Sequence, residues 1–348
     1  MKRTRTQDIS AKRQSRSAPV NGAAALPVRP GRAFGGGLLR KAGVLALLLG
    51  FPLAASLLTA GEQPQYRFTE ITVPGPSYAY GINNQGTVTG AYTDPATGDI
   101  LSFVVERGVL TLGISAPGAT ITSLGGANNR GVETGNYGDL THQRAVLYDI
   151  RRGTFTPLPE IPGMPLNFSD GINDFGHASG TAYASGDWFN GGNGLGQNWI
   201  WDGENYNFFT VPGAVYGVLA GGINNRDQVT GYYVDSSGLP QGFVKDGPNF
   251  TTFNAPGATY TIASGINNQG VVAGTYLIAP HGHHGFLWSK GNFVTVDDNL
   301  PASVGTEWVG LNDHGDVAGI YFDVTANHLP HAVIGVRVDG DADRDDAE

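Results

Sequence analysis

The chain has 348 residues, 53 of them glycine, with no cysteine and only 15% charged residues. Disulfides, thiol catalysis and cysteine-ligated metal are excluded, and the glycine-rich, charge-poor mix suits short strands in tight succession rather than coiled coil or charged disorder. The formal charge of −9 hides ten Lys/Arg in the first 41 residues and, after residue 60, 11 Lys/Arg against 29 Asp/Glu, a balance of −18 that argues against nucleic acid as a partner.

The first feature along the chain is a leader. Residues 43–58 (GVLALLLGFPLAASLL) are the only long apolar run. They follow Arg40-Lys41 and lead into Thr59-Ala60, the order of basic, apolar and small residues expected of a signal peptide over residues 1–60 with a long basic region. At 16 residues, with Pro52 inside, the run is short for a spanning helix. A signal anchor is the alternative. Both place the rest of the chain outside the cytoplasm, secreted, periplasmic or at the cell surface, with no membrane contact beyond the leader.

Next comes Arg67–Val73 (RFTEITV), which alternates like a strand and ends at Pro74-Gly75. Six copies of one unit then follow. A Gly-Ile-Asn-Asn-x-Gly-like tract begins at Gly81, Gly126, Gly171, Gly222, Gly265 and Gly310, with spacings of 45, 45, 51, 43 and 45. Each copy reads as four short strands. Strand A ends in Gly-Ile-Asn, as in Tyr260–Asn267, and a tight turn follows in which Asn and Gly are expected because both tolerate positive φ. Strand B carries Val-x-Gly-x-Tyr, with glycines at 90, 135, 180, 231, 274 and 319 that suggest close backbone approach or a bulge. Strand C is apolar, as in Gly285–Trp288, and strand D alternates, as in Phe293–Val296. Pro-Gly steps such as Pro117-Gly118 and Pro256-Gly257 lead to the next copy.

A four-stranded unit of this length predicts an all-β, six-bladed β-propeller over residues 61–338. The ends of the array carry the closure argument. The sixth copy stops after strand C (His331–Val338) with no strand D, while Arg67–Val73 is a strand D with no copy of its own. Joined in one blade, the N-terminal strand as the outer one, they would remove an open sheet edge.

The unit resembles the bacterial extracellular repeat named for its His-Ala-Phe tripeptide, the HAF repeat, over about residues 66–338. The likeness rests on the Gly-Ile-Asn-Asn-x-Gly-x-Val-x-Gly tract and on strand C starts such as His284-Gly285-Phe286 and His331-Ala332-Val333. It implies export and a repeated β fold, and brings no activity or catalytic residues with it.

Three groups of residues are candidates for chemistry. Strand B ends in Asp94, Asp139, Asp235 and Asp323, which in a propeller recur at one level of one face; they face a cation or sugar hydroxyls, or they cap their own turns. The third copy holds the long insertion, where Asp187, Trp188 and Phe189 sit in a Gly/Asn loop suited to a sugar or peptide contact, the alternative being packing onto the blade. In the fifth copy His281, His283 and His284 lie within four residues and would suit a divalent transition metal, or form an exposed polar loop. The acidic tail, residues 339–348, has Arg344 where a calcium loop needs glycine, and reads as solvated. The P-loop, dinucleotide, nucleophile-elbow and His-Glu-x-x-His motifs are absent. The expected function is a non-catalytic binding or cell-surface module for extracellular carbohydrate or protein, on the face carrying the variable B–C loops. The alternative is an exported metal-dependent hydrolase or lyase with its site in the propeller mouth.

Overall fold

The computed structural model describes residues 64–184, 196–280, 282–326 and 328–338. Among them every regular element is a β-strand except one short 3₁₀ turn at Val324–Ala326. The leader, Asp187, Trp188, Phe189, His281 and the acidic tail lie outside the described residues. Among the described residues no helix is long and apolar enough to cross a membrane.

The strands fall into antiparallel groups of four, in chain order within each copy. The first is β2 (Ser77–Ile82), β3 (Val88–Thr93), β4 (Ile100–Glu106) and β5 (Val109–Ile114). The second is β6 (Ile121–Ala127), β7 (Val132–Gly138), β8 (Gln143–Asp149) and β9 (Thr154–Pro157). The third runs through β10 (Leu166–Ile172), β11 (Ala178–Tyr183), β12 (Gln197–Trp201) and β13 (Tyr206–Phe209). The fourth is β14 (Tyr216–Ile223), β15 (Val229–Val234), β16 (Pro240–Asp246) and β17 (Asn249–Phe253). The fifth is β18 (Tyr260–Ile266), β19 (Val272–Ile278), β20 (Gly282–Ser289) and β21 (Asn292–Thr295). Single parallel pairs, Ile100↔Ile121 and Gln143↔Leu166, link the first three groups at one end.

The last group has β22 (Ser303–Leu311), β23 (Val317–Asp323) and β24 (Leu329–Arg337), and takes its fourth strand from the opposite end of the chain. That strand is β1 (Tyr66–Glu70), paired antiparallel with β24 from Tyr66↔Arg337 to Glu70↔Val333. Two further backbone bonds extend the seam, Ile71 N–H to Ala332 O at 2.8 Å and Val338 N–H to Gln65 O at 2.9 Å. Phe68 stacks on Trp308 at 5.7 Å, so the seam has a core as well as a ladder. The fold is all-β and propeller-like.

The repeated glycine of strand B has a packing cause. A Cβ at Gly274 would stand 2.1 Å from the Ile262 carbonyl oxygen and 2.8 Å from the Phe286 ring. In four copies the fully buried aromatic of strand C packs against the strand-B glycine, Phe103 on Gly90, Trp199 on Gly180, Phe243 on Gly231 and Phe286 on Gly274, each ring 0% exposed; in the second and sixth copies Leu124 and Trp308 of strand A meet Gly135 and Gly319 instead. This is the close approach expected from the sequence.

The turn between strands A and B is built differently from the expectation. The asparagines do not take the positive φ; the fourth turn residue does, for example Gly86 at 73° and, in the fourth copy, Asp227 at 55°. The first Asn is needed for its side chain. Asn83 Oδ1 accepts the N–H groups of Gln85 (3.0 Å) and Thr87 (2.9 Å), while its Nδ2 donates to the Asn128 carbonyl at 3.0 Å. The same outward bond runs from Asn128 to Asn173, Asn173 to Asn224, Asn224 to Asn267, Asn267 to Asn312, and Asn312 back to Asn83. A second circuit uses the next residue: the N–H groups of Asn84, Asn129, Asp174, Asn225, Asn268 and Asp313 each donate to Oδ1 of the following copy, and Asp313 donates to Asn84. Six turns are thus linked in two unbroken belts.

Candidate functional site

All six A strands border one cavity of about 490 Å³. Each A strand also breaks its ladder with strand B near its end. The skipped residue is Tyr80, Asp170, Ser264 or Val309 in four copies, and the pairs Gly125-Gly126 and Gly221-Gly222 in the other two. A bulge lifts a residue out of the alternating pattern and re-aims its side chain. All of these residues line the cavity. The column before the Gly-Ile-Asn tract therefore reads Tyr80, Gly125, Asp170, Gly221, Ser264, Val309, five residue types at six equivalent positions of one repeated frame.

The two ends of the cavity differ. Toward the A–B turns a collar of Ile82, Ala127, Ile172, Ile223, Ile266 and Leu311 separates it from a smaller space of about 60 Å³ lined by the asparagine belts. At the other end Thr93, Ile100, Leu140 and Gln143, from the B–C region of the first two copies, border it. The opening toward solvent is thus on the B–C loop face.

Asp170 is the only ionisable acid among the described residues bordering the cavity, and no Lys, Arg or His borders it. Its side chain is partly accessible, but Oδ2 is out of solvent and has no hydrogen-bond partner. Burial pushes its carboxyl up to about 7. Around it stand tyrosines whose hydroxyls are held neutral, each first by burial: Tyr80, whose neighbour Tyr78 adds to the shift, and Tyr232, where the Asp170 charge adds to it. Tyr78 and Tyr80 stack at 5.8 Å and 8°. Several other polar groups are already engaged: Asn136 with Gln143, and Ser169 with Thr134 at 2.6 Å.

No family model matches the chain, and no curated protein matches it. Solved structures share its overall course at low identity. TolB from Acinetobacter baumannii is 12% identical, with a TM-score of 0.49 over 77% of this chain and 65% of that one. The chain thus spans just under two thirds of TolB. The fucose-specific lectin from Aleuria aurantia is 10% identical, with a TM-score of 0.47 over 74% and 91%. The β-propeller domain of the Trilobed protease from Pyrococcus furiosus is 8% identical, with a TM-score of 0.42 over 78% and 95%.

Those residues singled out from sequence that the structure describes lie elsewhere. Asp94, Asp139, Asp235 and Asp323 do not border the cavity. Each accepts from its own loop: Asp94 from Ala96 N–H (2.9 Å), Asp139 from Thr141 N–H (2.7 Å), Asp235 from Ser237 N–H (2.8 Å) and Asp323 from Thr325 N–H (2.6 Å). Such bonds, led by the Thr141 and Ser237 hydroxyls, hold the Asp139 and Asp235 carboxyls below the usual range. His283 and His284, adjacent on β20, point to opposite sides. His283 meets Glu307 and the Tyr260 hydroxyl (3.1 Å), and His284 meets Asp297 at 2.8 Å. Among the described residues no three His, Asp or Glu side chains gather as a metal site. Sequence reasoning passed over Asp170 and Tyr80. The available signal was the column before Gly-Ile-Asn, which varies between copies while its neighbours repeat.

Proposed function

We propose that this chain is an exported six-bladed β-propeller, closed by its N-terminal strand, that works as a non-catalytic binding module for a small group of an extracellular carbohydrate or peptide. The reading is carried by one observation: a cavity on the molecule's axis of repetition is lined by bulge residues that differ from copy to copy while the supporting frame repeats. Closure is supported by the two asparagine belts, which return from the sixth copy to the first, and by the β1–β24 ladder. Pockets of this size with a few convergent polar groups suit small ligands or ligand ends.

The test is a titration of the leader-free protein with a panel of saccharides and short peptides, followed by two variants. Ser264→Phe places a ring in the cavity from a bulge position and should abolish binding. Trp188→Ala with Phe189→Ala probes the loop of the third copy. Binding that survives the first variant and fails in the second places the ligand on the loops and overturns the cavity reading. Export itself is tested by N-terminal sequencing of the protein recovered outside the cytoplasm, which should begin close to Gly61; an intact Met1 on a membrane-bound product supports the anchor instead.

A further inference from the structure

We propose that the ligand held in the cavity is a small free organic cation of the methylated-ammonium class, paired with Asp170 and flanked by Tyr78, Tyr80 and Tyr232. The inference rests on the cavity reading above and adds the chemistry of the occupant.

Charge comes first. Asp170 borders the cavity alone: among the described lining residues there is no second acid to share a metal and no Lys, Arg or His to pair with it. Its Oδ2 lies out of solvent with no partner. A carboxyl in that position lacks a positive partner, and an occupant of the cavity can supply one. The type of cation follows from the walls. A primary ammonium asks for three hydrogen-bond acceptors, whereas a quaternary, fully methylated one asks for none and is attracted by aromatic faces. Here Ser169, Asn136 and Gln143 are already hydrogen-bonded within the protein, while Tyr78, Tyr80, Tyr232 and Phe168 supply rings. Space comes from the cavity itself, about 490 Å³; Gly125 and Gly221, the bulge positions of the copies on either side of Asp170, lie against the next strand's backbone, a Cβ at Gly221 standing 2.5 Å from the Ser264 carbonyl oxygen. Tyr80 and Asp170 line the same cavity two copies apart, and its volume exceeds that of a trimethylammonium-sized group.

The site is pH-dependent for a stated reason. The titratable groups around Asp170 from the packed strands are Tyr80, Tyr183 and Tyr232, all raised first by burial and so neutral in the physiological range. Glu133, the buried carboxyl of neighbouring β7, does not border the cavity. Asp170 alone then changes charge near neutrality, its carboxyl lying at about 7. The cation binds the ionised form and displaces the proton where Asp170 is protonated.

Choline and its uncharged isostere 3,3-dimethylbutan-1-ol, which differ in charge and hardly in shape, are titrated calorimetrically into the leader-free protein. Choline should bind about tenfold more tightly at about pH 8 than at about pH 6, following the ionised fraction of a group titrating near 7. Binding near neutrality should release a proton, read as a dependence of the heat on the buffer. The isostere should bind at least about tenfold more weakly than choline and without pH dependence. Asp170→Asn should abolish the pH dependence, the proton release and most of the preference for choline; a matched thermal melt checks its fold, and the wild-type pH series stands without it. The inference is overturned if choline does not bind at millimolar concentration, if the isostere binds equally well, or if choline affinity is flat with pH. A neutral saccharide that binds wild type and Asp170→Asn alike but not Ser264→Phe would overturn the cation while leaving the cavity reading intact.

Discussion

At the scale of single residues, the asparagine belts explain why two neighbouring positions accept different substitutions. The first Asn must donate outward and accept twice at Oδ1, which Asp cannot do. Asn83→Asp should therefore cost about 1–3 kcal/mol, because a carbonyl loses its donor and faces a carboxylate. The second position needs only an Oδ1 acceptor, so Asp174 and Asp313 fit there. Their second oxygens accept amides from both sides, Asp174 from Asn129 (3.0 Å) and Asn225 (2.8 Å), Asp313 from Asn84 and Asn268 (both 2.8 Å). Burial opposes the Asp174 charge, but the amides of Asn225 and Asn129 outweigh it and hold its carboxyl below the usual range. Asp174→Asn, seemingly a return to the repeat, should destabilise by about 1–3 kcal/mol, since two donors then meet a third. Urea unfolding of the variant checks this. The lowered carboxyl stabilises the fold above the ordinary carboxylate range, and the contribution is lost as pH falls through the folded value. The wild-type advantage over the variant should therefore shrink in acid. The repetition of Asn was legible in the sequence. Its cause was not, because turn propensity alone accounts for Asn without invoking a partner 45 residues away.

At the scale of strands, a repeated unit makes departures visible. Strand B places Val88, Ala178, Val229, Val272 and Val317 at one buried position, and the second copy places Glu133 there. Glu133 is 0% exposed and neither carboxyl oxygen has a partner, so burial pushes its carboxyl well above the usual range. Glu133→Val should raise stability by about 1–3 kcal/mol, removing an uncompensated polar group from the core. The sign with pH is opposite to that of Asp174. A raised carboxyl contributes fully below the unfolded value and costs stability as pH rises toward the folded one, so the gain from Glu133→Val should grow from mildly acidic to neutral pH. Melting temperatures of both proteins across that range provide the measurement; a constant difference would show that Glu133 does not titrate on unfolding. Strand order, a close approach at the strand-B glycines and a D strand supplied from the Arg67–Val73 stretch, observed as Tyr66–Glu70, all followed from periodicity. Asp170 did not, because in an alternating strand it reads as one more surface position. The ladder break that turns it inward is set by how strand A meets strand B, not by any local residue preference.

At the scale of the whole molecule, the chain ends are spent on the seam. Deleting residues 61–75 removes β1 and uncovers the edge of β24, including the backbone groups now bonded from Tyr66 to Ile71. The truncated protein should aggregate, and a synthetic peptide of residues 64–75 should restore solubility by pairing in trans. A truncated protein as soluble and as stable as the parent would count against closure. The bulge column carries a different consequence. Its residues have left the hydrogen-bond ladder, so replacing one alters what the cavity presents without altering how any strand is paired. On the binding reading proposed above, recognition and folding can therefore change independently in this architecture. A lineage, or a designer, can explore new occupants one position at a time among Tyr80, Asp170, Ser264 and Val309, whereas a side chain at Gly221 would meet the Ser264 carbonyl oxygen at 2.5 Å, and the asparagine belts keep the frame in register while the selectivity drifts.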